Sequence, residues 1–131
     1  MWINRRFPIY ITLCLSLLWN IGVIAGESEG KSAMYQMAEI MHRLKHFPSP
    51  LGKETLKSII DNKSTSNNER ILATAIMNLE HKALDEDVPK LRKIIEDKSA
   101  SADEHDMAEI IVNLNHRPTS EDKQRLKMMM K

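Results

Sequence analysis

Three histidines at one fixed interval constrain the fold of this 131-residue chain more than any other feature. His46, His81 and His116 follow one another at intervals of 35 residues, and the sequence around them aligns without a gap. Eight columns of this alignment match across the three copies: four keep the same residue, including a leucine two positions before each histidine and an alanine eight positions before it, and four keep large apolar residues. A fixed period of this length is typical of proteins built from repeated supersecondary units.

Each of the three sequence units carries two apolar patterns with a helical period. In the second unit Leu72, Ile76 and Leu79 form the first pattern, and Leu91 and Ile94 form the second. Spacings of three and four residues place side chains on one face of an α-helix, and they do not fit the alternation of a strand. The predicted helices are 34–46, 50–62, 67–81, 87–98, 102–116 and 119–130.

Local sequence signals agree with these helix boundaries. Two predicted helices are preceded by a capping box, in which a serine is followed three residues later by a glutamate: Ser66 with Glu69, and Ser101 with Glu104. Further stop and start signals are Pro48 and Pro118, where a helix must end, and the predicted caps Ser49, Asp87 and Thr119. The sequence therefore predicts an all-α domain over residues 34–131, with three tandem helical hairpins in a short α-solenoid-like array.

The N-terminal 25 residues have the pattern of a secretory signal peptide. Arg5 and Arg6 precede an almost wholly apolar stretch, 7–25, which ends in alanine. An uncleaved membrane anchor is the alternative, although Pro8 and Asn20 shorten the apolar core. Residues 26–33 are predicted to be a short leader, and the domain after them is expected to be periplasmic or secreted.

The exported part offers few chemical groups for catalysis. Without Arg5 and Arg6, 17 of the 19 Lys and Arg residues remain against 18 Asp and Glu, so the net charge is about −1 and does not favour nucleic acid. The only cysteine, Cys14, lies in the signal segment, and no Gly-rich phosphate loop or serine nucleophile motif is present. We therefore predict neither an enzyme nor a bound cofactor.

The repeated histidine is expected to have a structural role. In the predicted helices each histidine occupies the last turn, where its ring can meet the terminal carbonyls. Stacked helices lie about 8–10 Å apart, whereas a zinc–nitrogen bond is about 2 Å long. On this reasoning His46, His81 and His116 cannot easily share one ion, so no metal site is predicted, and they are expected at most to contact a partner or ligand.

Two functional hypotheses remain. The first is an exported helical-repeat protein that binds another protein or peptide, including as an inhibitor or immunity-type binder. The alternative is a periplasmic Cu- or Zn-binding protein that uses the repeat histidines and methionines. Most methionines align with leucine or isoleucine in the other units, as Met37 does with Leu72, which favours a core role. A His105–Glu109 pair, four residues apart, lacks the second histidine of a helical zinc motif.

Overall fold

The computed structural model describes residues 30–131, and every regular element in that range is an α-helix. The six helices are α1 Ala33–His42, α2 Pro50–Asp61, α3 Asn67–Met77, α4 Val88–Glu96, α5 Ala102–Val112 and α6 Ser120–Met129. The predicted all-α class is confirmed. The predicted signal peptide, residues 1–25, and the first part of the leader lie outside the described residues. None of the described helices is both long and apolar enough to cross a membrane.

Most helices begin where the capping signals predict. Both serine–glutamate capping boxes form, and the side chains of Ser49 and Thr119 also accept hydrogen bonds from the first turns of α2 and α6. Asp87 is the exception, because its side chain makes no capping hydrogen bond. Its carboxylate is buried instead, where it accepts a hydrogen bond of 3.0 Å from the amide of Asn78 and lies 3.4 Å from the ammonium of Lys90.

The first helix of each unit ends four residues earlier than predicted. The predicted ends were the three histidines, but α1, α3 and α5 end at His42, Met77 and Val112. The chain then tightens into a turn, in which Leu79 N–H donates to the carbonyl of Ile76, three residues back, at 3.2 Å. This turn carries Leu79 into the core, with 1% of its surface exposed. Burial of the leucine therefore takes precedence over another helical turn.

The core contains the apolar columns of the sequence alignment. Residues with no exposed surface include Met37, Leu72 and Met107 from one column, Met41, Ile76 and Ile111 from a second, and Leu56, Leu91 and Leu126 from a third. The three small alanines Ala38, Ala73 and Ala108 are also fully buried. Small residues at these positions let the odd-numbered helices approach one another, and α1, α3 and α5 are in mutual contact.

The helices close into a ring and do not extend as an open array. Around the central α1, α3 and α5, helix α2 packs against α3, α4 packs against α5, and α6 packs against α1. These contacts between units are more extensive than those inside each predicted hairpin. The closure brings the first and last helices together, so the loops that follow α1, α3 and α5 meet at one end of the molecule.

Candidate metal centre

The loops after α1, α3 and α5 are joined through the backbones of the three repeated histidines. The N–H of His81 donates to the carbonyl of His46 at 3.0 Å, and the N–H of His116 donates to the carbonyl of His81 at 2.6 Å. Because main-chain hydrogen bonds link the three residues directly, their side chains start from neighbouring positions. The helix spacing of about 8–10 Å that guided the sequence prediction does not apply to these loops.

Two of the three histidines have a left-handed backbone. The φ angles are 68° at His81 and 65° at His116, and no other non-glycine residue in the described range has a positive φ. This region costs a residue with a Cβ about 1–2 kcal/mol, and such conformations cluster at functional sites. The predicted role of the histidines as the last helical residues is therefore wrong: each lies in a loop four residues after the helix end.

The three imidazoles converge to form a cluster on the surface. Their ring centroids are 5.0 Å apart for His46 and His81, 4.9 Å for His81 and His116, and 5.7 Å for His46 and His116, with edge-on packing in each pair. The Nδ1 atoms of His81 and His116 are 3.0 Å apart, a hydrogen-bond distance. All three side chains are exposed. We call this group the histidine cluster.

The distances in the histidine cluster are close to those of a three-nitrogen metal site. One ring nitrogen from each histidine lies within 4.8 Å of the other two. Ligand nitrogens around a tetrahedral zinc ion are about 3.3 Å apart, as follows from a bond length of about 2.05 Å. The pair of Nδ1 atoms at 3.0 Å already meets that value. Rotation of the exposed rings about their side-chain torsions can bring the third ring nitrogen to a similar distance from the other two. The premise that these residues lie too far apart to share an ion is therefore wrong.

The residues beside the histidine cluster carry a positive charge. The sequence neighbours of the three histidines are Lys45 and Phe47, Glu80 and Lys82, and Asn115 and Arg117. Three cations against one carboxylate give a net charge of +2 around the cluster. Within residues 30–131, no carboxylate or carbonyl accepts a hydrogen bond from the three rings. These exposed charges oppose a divalent cation only weakly, because solvent screens them, and they favour an anion at its open coordination position.

The other sequence candidates for metal binding do not join the cluster. A ring nitrogen of His105 lies 2.7 Å from the backbone carbonyl of Asp97, and Glu109 accepts a hydrogen bond of 2.8 Å from Arg125. The two side chains therefore hydrogen-bond to different partners. Met37 and Met41 are fully buried in the core, as their alignment predicts. Met34 is also buried, at 9% exposed, although the equivalent residue of the second unit is the charged Glu69.

A cavity of about 670 Å³ lies beside the histidine cluster and shares His46 with it. Its other lining residues are Lys31, just before α1, and residues of α1, α2 and the loop between them, including Ile40, Leu44, Phe47 and Leu51. Phe47 and Leu51 are 62% and 73% exposed, and they are two of the three exposed large apolar side chains among the described residues. The sequence alignment already distinguished these two positions, because both are apolar in the first unit and charged in the other two units.

Comparisons with known proteins give no assignment. A scan against protein-family models, a search of curated proteins and a search of solved structures each found no match to this chain. The histidine cluster and the cavity beside it therefore supply the functional argument.

Proposed function

We propose that this chain is an exported helical-repeat protein that binds one divalent transition-metal ion at His46, His81 and His116. The convergence of three imidazole nitrogens within 4.8 Å of one another carries the proposal. The donor set is three neutral nitrogens with an open fourth position, which suits Zn²⁺, Cu²⁺ and Ni²⁺. Methionine sulfur is not part of the proposed site, because the methionines aligned in the core are buried, whereas the three histidines are exposed.

The proposed metal site follows from a threefold repeat arrangement. In this arrangement each 35-residue unit contributes one inner helix, one outer helix and one histidine loop, and the closed ring relates the three units by an approximate threefold axis. Equivalent loops must then meet at that axis, as three copies of one residue do in a symmetric trimer. The sequence period and the contact between α6 and α1 support this arrangement.

Export is supported by the N-terminal segment alone. The two arginines, the apolar stretch and the alanine at its end have the order expected of a cleaved signal peptide. An exported protein without cysteine after residue 25 can hold a borderline metal ion through histidine without exposing an oxidisable thiol. In most metal sites the second ring N–H of each histidine donates to a fixed acceptor, and loss of that acceptor lowers metal affinity about 10–100-fold. Among the described residues the exposed imidazoles of the cluster have no such acceptor, so they suit an ion that exchanges with solution.

Titration of the purified protein with Zn²⁺ by calorimetry tests the proposal. We expect one ion per chain, bound more tightly than roughly micromolar. His46→Ala, His81→Ala and His116→Ala should each weaken binding at least about tenfold, because each removes one of three ligands. His105→Ala is the matched control, since His105 is a histidine outside the cluster.

Two results would count against the proposal. One is the absence of binding tighter than roughly micromolar in the unsubstituted protein. The other is equal binding by the triple alanine variant, which would place the ion elsewhere. Helical circular dichroism of every variant confirms that the fold is intact before affinities are compared.

A further inference from the structure

The cavity beside the histidine cluster differs between the sequence units in a way that points to a ligand. The counterparts of Leu51 are Glu86 and Glu121, each 35 residues further along. Likewise, Phe47 corresponds to a lysine in the second unit and an arginine in the third. The fold therefore accepts charged residues at both positions, and core packing does not require the apolar ones. Two large apolar side chains left in water beside a cavity indicate a surface that another molecule covers.

The charges around the cavity favour a carboxylate. The rim includes Lys31, Arg43, Lys45 and one acidic residue, Glu39. Glu39 is already engaged, with Lys31 at 3.3 Å and Arg43 at 2.9 Å. Among the ion pairs of residues 30–131 none involves Lys45, which adjoins His46 in sequence. An anion that enters from this side meets free positive charge.

His46 is common to the cavity and the proposed metal site. Its side chain belongs to the histidine cluster and also lines the cavity. An ion bound to the three imidazoles keeps a fourth coordination position, which a carboxylate oxygen can fill. A ligand that spans both sites thus has a carboxylate at one end and an apolar body at the other. The polar lining residues Gln36, Ser49 and Thr55 already hydrogen-bond within the chain, to Lys31, Gly52 and Leu51 respectively. The amide oxygen of Gln36 and the hydroxyl hydrogen of Ser49 remain for the backbone of a peptide.

We propose that the cavity and the metal together bind the carboxyl terminus of a peptide that ends in large apolar residues. The terminal carboxylate coordinates the ion and lies near Lys45, and the apolar side chains pack against Phe47 and Leu51. The volume of about 670 Å³ lies in the range of sites that enclose a small ligand or a few residues. This inference rests on the proposed function, because the bound ion makes one of the two main contacts with the peptide.

The test uses the tripeptide acetyl-Ala-Leu-Leu with a free carboxyl end and the same peptide with an amide end. Calorimetry with the zinc-loaded protein should show binding of the free acid and at least tenfold weaker binding of the amide. Leu51→Glu, which installs the residue of the other units, should weaken binding of the acid at least tenfold and leave zinc affinity unchanged. Met128→Glu is the control, since Met128 is 63% exposed and lies outside the cavity.

The possible outcomes separate this inference from the proposed function. Failure to bind zinc refutes both. Zinc binding without peptide binding refutes the inference alone, as does equal affinity for the amide or for the protein without metal. Octanoate that binds as tightly as the peptide would identify an aliphatic acid as the ligand and overturn the assignment to a peptide. Zinc-induced dimerisation in sedimentation velocity, with no peptide bound, would assign the open coordination position to a second copy of the chain.

Discussion

At the scale of single residues, the strain at the histidine cluster is open to a direct test. His116 has a φ of 65°, which glycine adopts without strain and alanine does not. His116→Gly should therefore exceed His116→Ala in free energy of unfolding by about 1 kcal/mol. Urea denaturation with a metal chelator present measures this difference without the contribution of a bound ion.

His46 provides the control for this comparison within the same cluster, because its φ is not positive. There alanine should be the more stable replacement by about 0.5 kcal/mol, since glycine gains more freedom in the unfolded chain. The same order of stability at both positions would contradict the left-handed conformation of His116.

His42 is a second residue whose environment predicts a measurable effect. Partial burial lowers its pKa from the ordinary value of 6.5, and the charges of Lys127, Lys123 and Arg43 act in the same direction. The unfolded chain therefore binds more protons at this site as the pH falls below about 6.5, and the fold loses stability. Above that pH the group is neutral in both states and makes no such difference.

Replacement of His42 by methionine removes the titration with little change in size. Methionine is also the residue of the second unit, where Met77 aligns with His42. The variant should gain stability relative to the unsubstituted protein as the pH is lowered from about 7.5 to about 5.5. Urea denaturation curves at several pH values provide the measurement. A difference that stays constant with pH would contradict the lowered pKa.

At the scale of helices, the capping boxes are the structural feature that the sequence predicts most directly. Ser66 and Ser101 each accept a hydrogen bond from a glutamate N–H three residues later, at 3.1 and 3.2 Å. Replacement of either serine by alanine should lower the free energy of unfolding by about 1 kcal/mol. Ser64→Ala, at an exposed loop serine nearby, should change it by less than about 0.5 kcal/mol. Equal effects at the three positions would show that the caps contribute nothing.

The helix starts could be predicted because their causes are local, whereas the helix ends depend on contacts between distant residues. In a capping box the serine and the glutamate each accept a hydrogen bond from the backbone N–H of the other, whatever the helix packs against. By contrast, α3 stops at Met77 because Leu79 turns into a core that other units supply. Periodicity alone assigned Leu79 to the same helix, since its spacing from Ile76 also fits a helical face.

The histidine cluster was missed for the same kind of reason. The 35-residue spacing identified His46, His81 and His116 as equivalent residues, which was enough to single them out. Their convergence requires two facts that no local pattern contains: the left-handed turns at His81 and His116, and the contact between the first and last helices. An open array would have kept equivalent residues about 8–10 Å apart, too far for their side chains to share one ion.

At the scale of the whole molecule, closure of the ring predicts how the protein unfolds. In an open array the end units have one neighbour and unfold first, whereas in a ring each unit has two neighbours. Leu56, Leu91 and Leu126 occupy one column of the alignment, one in each unit, and all three are fully buried. Alanine at any of them should lower the free energy of unfolding by roughly 2–5 kcal/mol.

The three leucine variants should also unfold alike. Urea denaturation followed by helical circular dichroism should show one transition for each, with the slope of the unsubstituted protein, because the loss of one unit opens the ring and removes support from the other two. In an open array Leu126→Ala would show an early transition with a smaller slope while the first two units remained folded. Since α6 is the last helix in the chain and packs against the first, Leu126→Ala separates the two arrangements most sharply.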